Sequence, residues 1–152
     1  MSRALAAHIA RIEAENAIEH WASVPDGTFA KLYANEHLRK RVGEHGWCRL
    51  WVYWHGPEIV AHASVYDIGE QDVVGGHISV ERPYRGKRIA RWLQDRRFAF
   101  LDDRGLTLTG PIAPGNERSA VGCARMGFQH VRVDDEGNTW VARAPKAPAK
   151  AG

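Results

Sequence analysis

Three consecutive β-forming runs joined by very short turns constrain this chain more than any other feature. Residues 47–55 (WCRLWVYWH) are aromatic and β-branched, the chemistry of a strand. HGPE turns, and residues 59–68 (IVAHASVYDI) read as a second strand. GEQD turns again, and residues 73–81 (VVGGHISVE) read as a third. Such short connections leave no room for crossovers, so the three runs predict an antiparallel meander. Gly75-Gly76 inside the third run predicts a bulge or a close backbone approach.

Helices flank this meander. Leu5, Ile9, Ile12 and Ile18 recur at helical spacing over residues 3–20. Phe29, Leu32, Tyr33, Leu38 and Val42 predict a second helix ending near Gly43 or Gly46. Beyond the meander, Ile89, Leu93 and Phe100 form an apolar stripe, with Arg91, Gln94, Asp95 and Arg97 placed largely outside it. That helix should stop near Gly105. Residues 106–112 (LTLTGPI) read as a strand, and residues 113–126 as a loop and helix closing at Gly127. FQHVRV and TWVARA, joined by DDEGN, read as a terminal hairpin. The fold class is therefore α/β in the α+β sense: a mixed, mostly antiparallel sheet flanked by helices. Residues 1–143 are expected to form one domain, and residues 144–152, rich in Pro, Ala and Lys, a disordered tail.

The chemistry concentrates at residues 80–90, VERPYRGKRIA. A strand runs into a basic, glycine-marked turn and then a helix. The first N–H groups of a helix have no intrahelical partner and lie at the positive end of its dipole, which makes such a turn an anion site. Arg85, Lys87 and Arg88 add charge there. Neither GxGxxG nor GxxxxGK[ST] is present, so the turn is neither a dinucleotide fingerprint nor a Walker loop.

VERPYRGKRIARWL resembles the acyl-CoA-binding segment of the GNAT superfamily of N-acetyltransferases. That family's Q/R-x-x-G-x-G/A turn falls on Arg85-Gly86-Lys87-Arg88-Ile89-Ala90. NERSAVGCARMGF is similar to the family's N-x-x-[AS]-x-x-x-Y-x-x-x-G-F block, with Asn116, Ser119, Gly127 and Phe128 in place. The element order agrees over nearly the whole chain. The resemblance implies a GNAT-like fold and acyl transfer from acetyl-CoA, used as cosubstrate, to a primary amine by direct attack in a ternary complex. It also implies CoA contacts from Ile78, Ser79 and Val80 of the strand, from Arg85, Gly86, Lys87, Arg88, Ile89 and Ala90 of the turn, and from Asn116 and Ser119.

Two departures bear on mechanism. Arg88 replaces the first motif glycine, which leaves its side chain either swung outward, clamping a phosphate, or obstructing. Cys123 stands where the family often has an acidic tyrosine. It is a candidate acid for the CoA thiolate, a residue open to acylation, or a core residue. His77, Ser79 and Glu81 share one strand face, and His62 lies on the preceding strand. His77 and Glu81 are the candidate bases. Trp47, Trp51, Tyr53 and Trp54 read as core packing, with a flat acceptor stacked on one ring as the alternative.

Bulk properties bound the class. The formal charge is +3, mild enough that an anionic ligand fits it without implying nucleic acid. No apolar run is long enough to span a bilayer. Two cysteines, Cys48 and Cys123, without CxxC spacing fit a reducing cytoplasm. Eight histidines show no metal-ligand spacing, so no metal is expected. The expected partners are acetyl-CoA and a small-molecule or peptide amine, with no membrane, and the protein a monomer or homodimer. The alternatives are an acyltransferase acting on a nucleic-acid-borne amine (aminoacyl-tRNA or a modified base), or a catalytically weak CoA-binding module.

Overall fold

The computed structural model describes residues 3–20 and 48–146. The region expected to form the second helix, and most of the Pro/Ala/Lys tail, lie outside the described residues.

The meander forms as its short turns require. Strands β1 (Cys48–His55), β2 (Glu58–Glu70) and β3 (Val73–Val80) pair antiparallel in that order. Side chains alternate across β2. Ala61 and Ala63 pack with Ile89 and Leu93 of helix α2 (Ile89–Arg104), in a cluster joined by Ile78 and Val80. His62 faces the other way and meets His8 of α1 (Arg3–His20). Val65, Val74, Leu101 and Leu108 build a second cluster, closed by Trp51, Phe98 and Phe128 among others. Trp51 and Tyr53 serve as packing residues, edge-on to Phe100 and Trp92, whereas Trp54 is exposed.

The remaining elements among the described residues are β4 (Thr107–Ile112), α3 (Glu117–Arg125), β5 (Gln129–Val133) and β6 (Thr139–Arg143). The sheet order is β1-β2-β3-β4-β6-β5. All pairings are antiparallel except β3 with β4.

That one parallel pairing positions the site. It consists of Val73↔Thr107, Val74↔Leu108 and Gly75↔Thr109, and stops there. β3 runs on to Val80 and β4 to Ile112 without pairing to each other. The two strands splay into a V with its apex at Gly75. The glycine pair belongs to this apex through close approach. A Cβ on Gly75 would come within 2.5 Å of the edge of the Tyr66 ring, and one on Gly76 would collide with the Ser64 carbonyl oxygen.

Helix α2 departs from the sequence expectation. Its buried stripe is Ile89, Leu93, Gln94, Arg97 and Leu101. Positions 89, 93, 97 and 101 recur every fourth residue, so Arg97 lies on the sheet-facing side despite its charge. Burial is tolerated because strand carbonyls meet its guanidinium.

Candidate active site

The V opens into a cavity of about 670 Å³ that spans β3, β4, α2 and α3. Its mouth lies at the turn that enters α2. Gly86 has φ 77° there, and Arg88, in the N-cap position, has φ 64° and ψ 15°. This left-handed conformation explains why the motif favours glycine at position 88: a side chain there carries a steric penalty. Arg88 adopts it with its side chain exposed and makes no side-chain cap. No acidic residue occupies the first turn of α2. The positive end of the helix therefore meets the cavity through Ile89 and Ala90, which line it with Arg85, Gly86 and Arg88.

Arg85 has a second job. Its Nε donates to the Val80 carbonyl at 3.0 Å and its Nη2 to Glu15 Oε2 at 3.4 Å. Glu15 Oε1 accepts from the Arg82 backbone N–H at 2.9 Å. The turn is thus fastened to α1. Lys87 lies outside the cavity lining, with its ammonium 5.7 Å from the Tyr84 ring centre.

Ile78, Ser79 and Val80 line one arm of the V. Asn116, Ser119 and Cys123 line the far wall. Asn116 caps α3, its side-chain oxygen accepting from the Ser119 N–H at 3.2 Å. Burial pushes the Cys123 thiol above its ordinary pKa, against the opposing pull of the Ser119 hydrogen bond and the Arg97 charge. The thiol therefore keeps its proton at neutral pH.

The two candidate bases separate. His77 lines the cavity, with Nε2 3.4 Å from the Tyr66 hydroxyl. Its backbone N–H donates to Ser64 Oγ at 3.2 Å and its carbonyl accepts from Arg97 Nη1 at 3.0 Å. The Glu81 side chain is buried outside the lining. It accepts from His8 Nδ1 at 2.7 Å and from the Arg11 guanidinium through both oxygens. His8 Nε2 in turn meets His62 Nδ1 at 2.8 Å. Desolvation lowers the His8 pKa despite the Glu81 contact.

His8, Glu15, Gln94 and Arg97 were not singled out from the sequence. Polar letters on a helix read as solvent-facing, and only register against the apolar stripe places Arg97 inward. No group of three His, Cys, Asp or Glu suited to a metal occurs among the described residues. No described helix is long and apolar enough to cross a membrane.

A sheet splayed at one parallel seam, opening onto a basic strand–turn–helix, defines a class of acyl-transfer fold. The chain belongs to the acetyltransferase (GNAT) family, whose model matches residues 9–128. Solved structures of the family share the fold at low identity. The PaiA N-acetyltransferase of Thermoplasma acidophilum, crystallised with coenzyme A, aligns with TM-score 0.70 at 10% identity, over 93% of this chain and 91% of that one. A GNAT-family acetyltransferase of Staphylococcus aureus Mu50 aligns with TM-score 0.72 at 11% identity, over 96% of both chains. The ribosomal-protein-S18-alanine N-acetyltransferase of Escherichia coli aligns with TM-score 0.68 at 16% identity, over 99% of this chain and 94% of that one. No curated protein matches this chain by sequence.

Proposed function

We propose that residues 1–143 form a single catalytic domain that transfers an acetyl group from acetyl-CoA to a primary amine of a small molecule or peptide. The observation that carries this reading is the V between β3 and β4, opening onto the uncapped start of α2. A pyrophosphate suits the mouth, where helix N–H groups and the Arg88 charge converge. Beyond Gly75 the edge of β3 is unpaired with β4, so Ile78 and Val80 offer backbone groups to an extended pantetheine arm in the manner of an added strand. A coenzyme-A-bound structure of similar fold supports this use of the cleft.

The chemistry needs a neutral amine, an oxyanion donor and an acid for the leaving thiolate. An N–H of splayed β3 polarises the thioester carbonyl. His77, on the cavity wall, takes the proton that the amine loses on forming the N–C bond. Cys123 holds its proton at neutral pH and gives it to the thiolate as the C–S bond breaks. Glu81, tied to His8 and Arg11, holds the end of β3 and acts through position rather than contact.

The test is direct. Acetyl-CoA should raise the melting temperature, and a panel of amines should release free CoA. Absence of both effects would overturn the reading; stabilisation without release from any amine would leave a binding module.

A further inference from the structure

The closed end of the cleft holds a buried cation that the protein leaves without a counter-charge. Arg97 is 3% exposed. Its Nε and Nη2 both donate to Gln94 Oε1, at 3.0 and 2.7 Å. Its Nη1 donates to the Ser64 and His77 carbonyls at 3.2 and 3.0 Å. A neutral amide oxygen thus occupies the place that a carboxylate usually takes against a buried guanidinium. Among the described residues no Asp or Glu is bonded or ion-paired to Arg97.

Donor counting sharpens the point. A guanidinium carries five N–H groups. The four bonds above use four, and the second Nη2 proton has no acceptor among the described residues. Gln94, itself 4% exposed, adds to this. With Oε1 turned toward the guanidinium, its amide nitrogen faces elsewhere. No acceptor for that nitrogen occurs among the described residues. Buried donors left unmatched are costly, and both side chains line the cavity.

Their position along the cavity matters. Arg97 reaches the carbonyl of His77, two residues beyond the Gly75↔Thr109 apex. Gly76 leaves room beside it; a Cβ there would stand 3.2 Å from Arg97 Nη1 and 3.1 Å from Leu108 Cδ1. In the acyl-CoA reading above, on which this inference rests, phosphates occupy the mouth and the acyl group reaches this far end. An acetyl methyl offers nothing to a charged donor.

We infer that Arg97 and Gln94 form an acyl-selecting subsite for a short chain ending in a carboxylate, so that the preferred donor is a dicarboxylic acyl-CoA such as succinyl-CoA or malonyl-CoA. The distal carboxylate accepts from Arg97 Nη2 and the Gln94 amide and takes no part in bond making. The N–C bond forms, the C–S bond breaks, the amine loses one proton and the CoA thiolate gains one. The product amide carries the negative charge.

Dissociation constants for CoA, acetyl-CoA, propionyl-CoA, malonyl-CoA and succinyl-CoA decide the matter. A charge-assisted hydrogen bond in a desolvated site should make malonyl-CoA or succinyl-CoA bind about tenfold or more tightly than acetyl-CoA and propionyl-CoA. Arg97→Met should erase that preference, so that the four acyl-CoA species bind within about threefold of one another. Gln94→Leu, a milder change, should reduce the preference, so the test survives if Arg97→Met fails to fold. Acetyl-CoA binding as well as succinyl-CoA and malonyl-CoA overturns the subsite alone, as does a preference unchanged in both variants. Failure of every CoA species, free CoA included, to bind overturns the acyl-CoA reading and the subsite with it.

Discussion

His8 of α1 and Glu81 at the end of β3, 73 residues apart in the chain, meet through a 2.7 Å hydrogen bond from His8 Nδ1 to Glu81 Oε2. Arg11, one turn further along α1, holds the other Glu81 oxygen and the Ile59 carbonyl. The first helix is thereby fixed to the end of the strand that feeds the basic turn. Glu81→Gln should destabilise the fold by about 2–3 kcal/mol, less than for a fully buried pair because Arg11 is part-exposed. Urea denaturation measures it; a loss under about 0.5 kcal/mol would show that the tie is incidental.

Stability should decline in mild acid. Burial lowers the folded-state pKa of His8, against Glu81 and Glu15 which raise it and alongside Arg11 which lowers it. A group whose folded pKa lies below its unfolded value favours folding above about pH 6.5, and that contribution drains away as pH falls further. Asp102, lowered chiefly by its hydrogen bond from Arg143, adds a loss of the same sign in the more acidic carboxylate range. His8→Gln should flatten the upper part of the decline in melting temperature between pH 7 and pH 5. An unchanged slope would assign the decline to other groups.

Arg88→Gly should stabilise the protein by about 0.5–1 kcal/mol, because it relieves a left-handed residue at the cost of a more flexible unfolded chain. The same change should weaken acetyl-CoA binding about three- to tenfold by removing one cation from the cavity mouth. Calorimetry on the variant separates the two effects. Much tighter binding would mean that the arginine obstructs the turn.

Gly76→Ala should cost about 2 kcal/mol or more, since the new methyl meets the Ser64 carbonyl oxygen. Gly110→Ala, at a position with no atom near its would-be Cβ, should change stability by under about 0.5 kcal/mol. Thermal melts of the pair test whether the V apex depends on glycine because of crowding.

Cys123→Ala should lower kcat about a hundredfold if the thiol protonates the leaving thiolate, with KM for acetyl-CoA little changed. Unchanged turnover would remove Cys123 from the chemistry.

Much of this architecture was readable from residue order. The turns HGPE and GEQD admit only a meander, and β1, β2 and β3 follow it. The basic turn, the helix it starts and the Asn116 cap all sit where their local chemistry puts them. What escaped is the polar interior. Gln94 and Arg97 were placed outside the stripe because a polar letter is ordinarily solvated, yet α2 buries both, with Arg97 against strand carbonyls. His8 escaped for the same reason: its burial depends on Glu81, a partner 73 positions away, and local periodicity carries no information at that separation. Glu81 was assigned to the same face as His77, which says nothing of how far its carboxylate lies from the cavity.

Only three residue pairs join β3 to β4, so the sheet is two antiparallel ribbons sharing a short hinge rather than one continuous fabric. A ligand laid along the V touches both ribbons and works as a rivet. Backbone amides flanking the seam, at Gly76–Val80 and at Gly110 and Ile112, should then exchange their hydrogens through local gaping in the empty protein and become slow when the cleft is filled. The same weakness that parts the strands would let their breathing report occupancy.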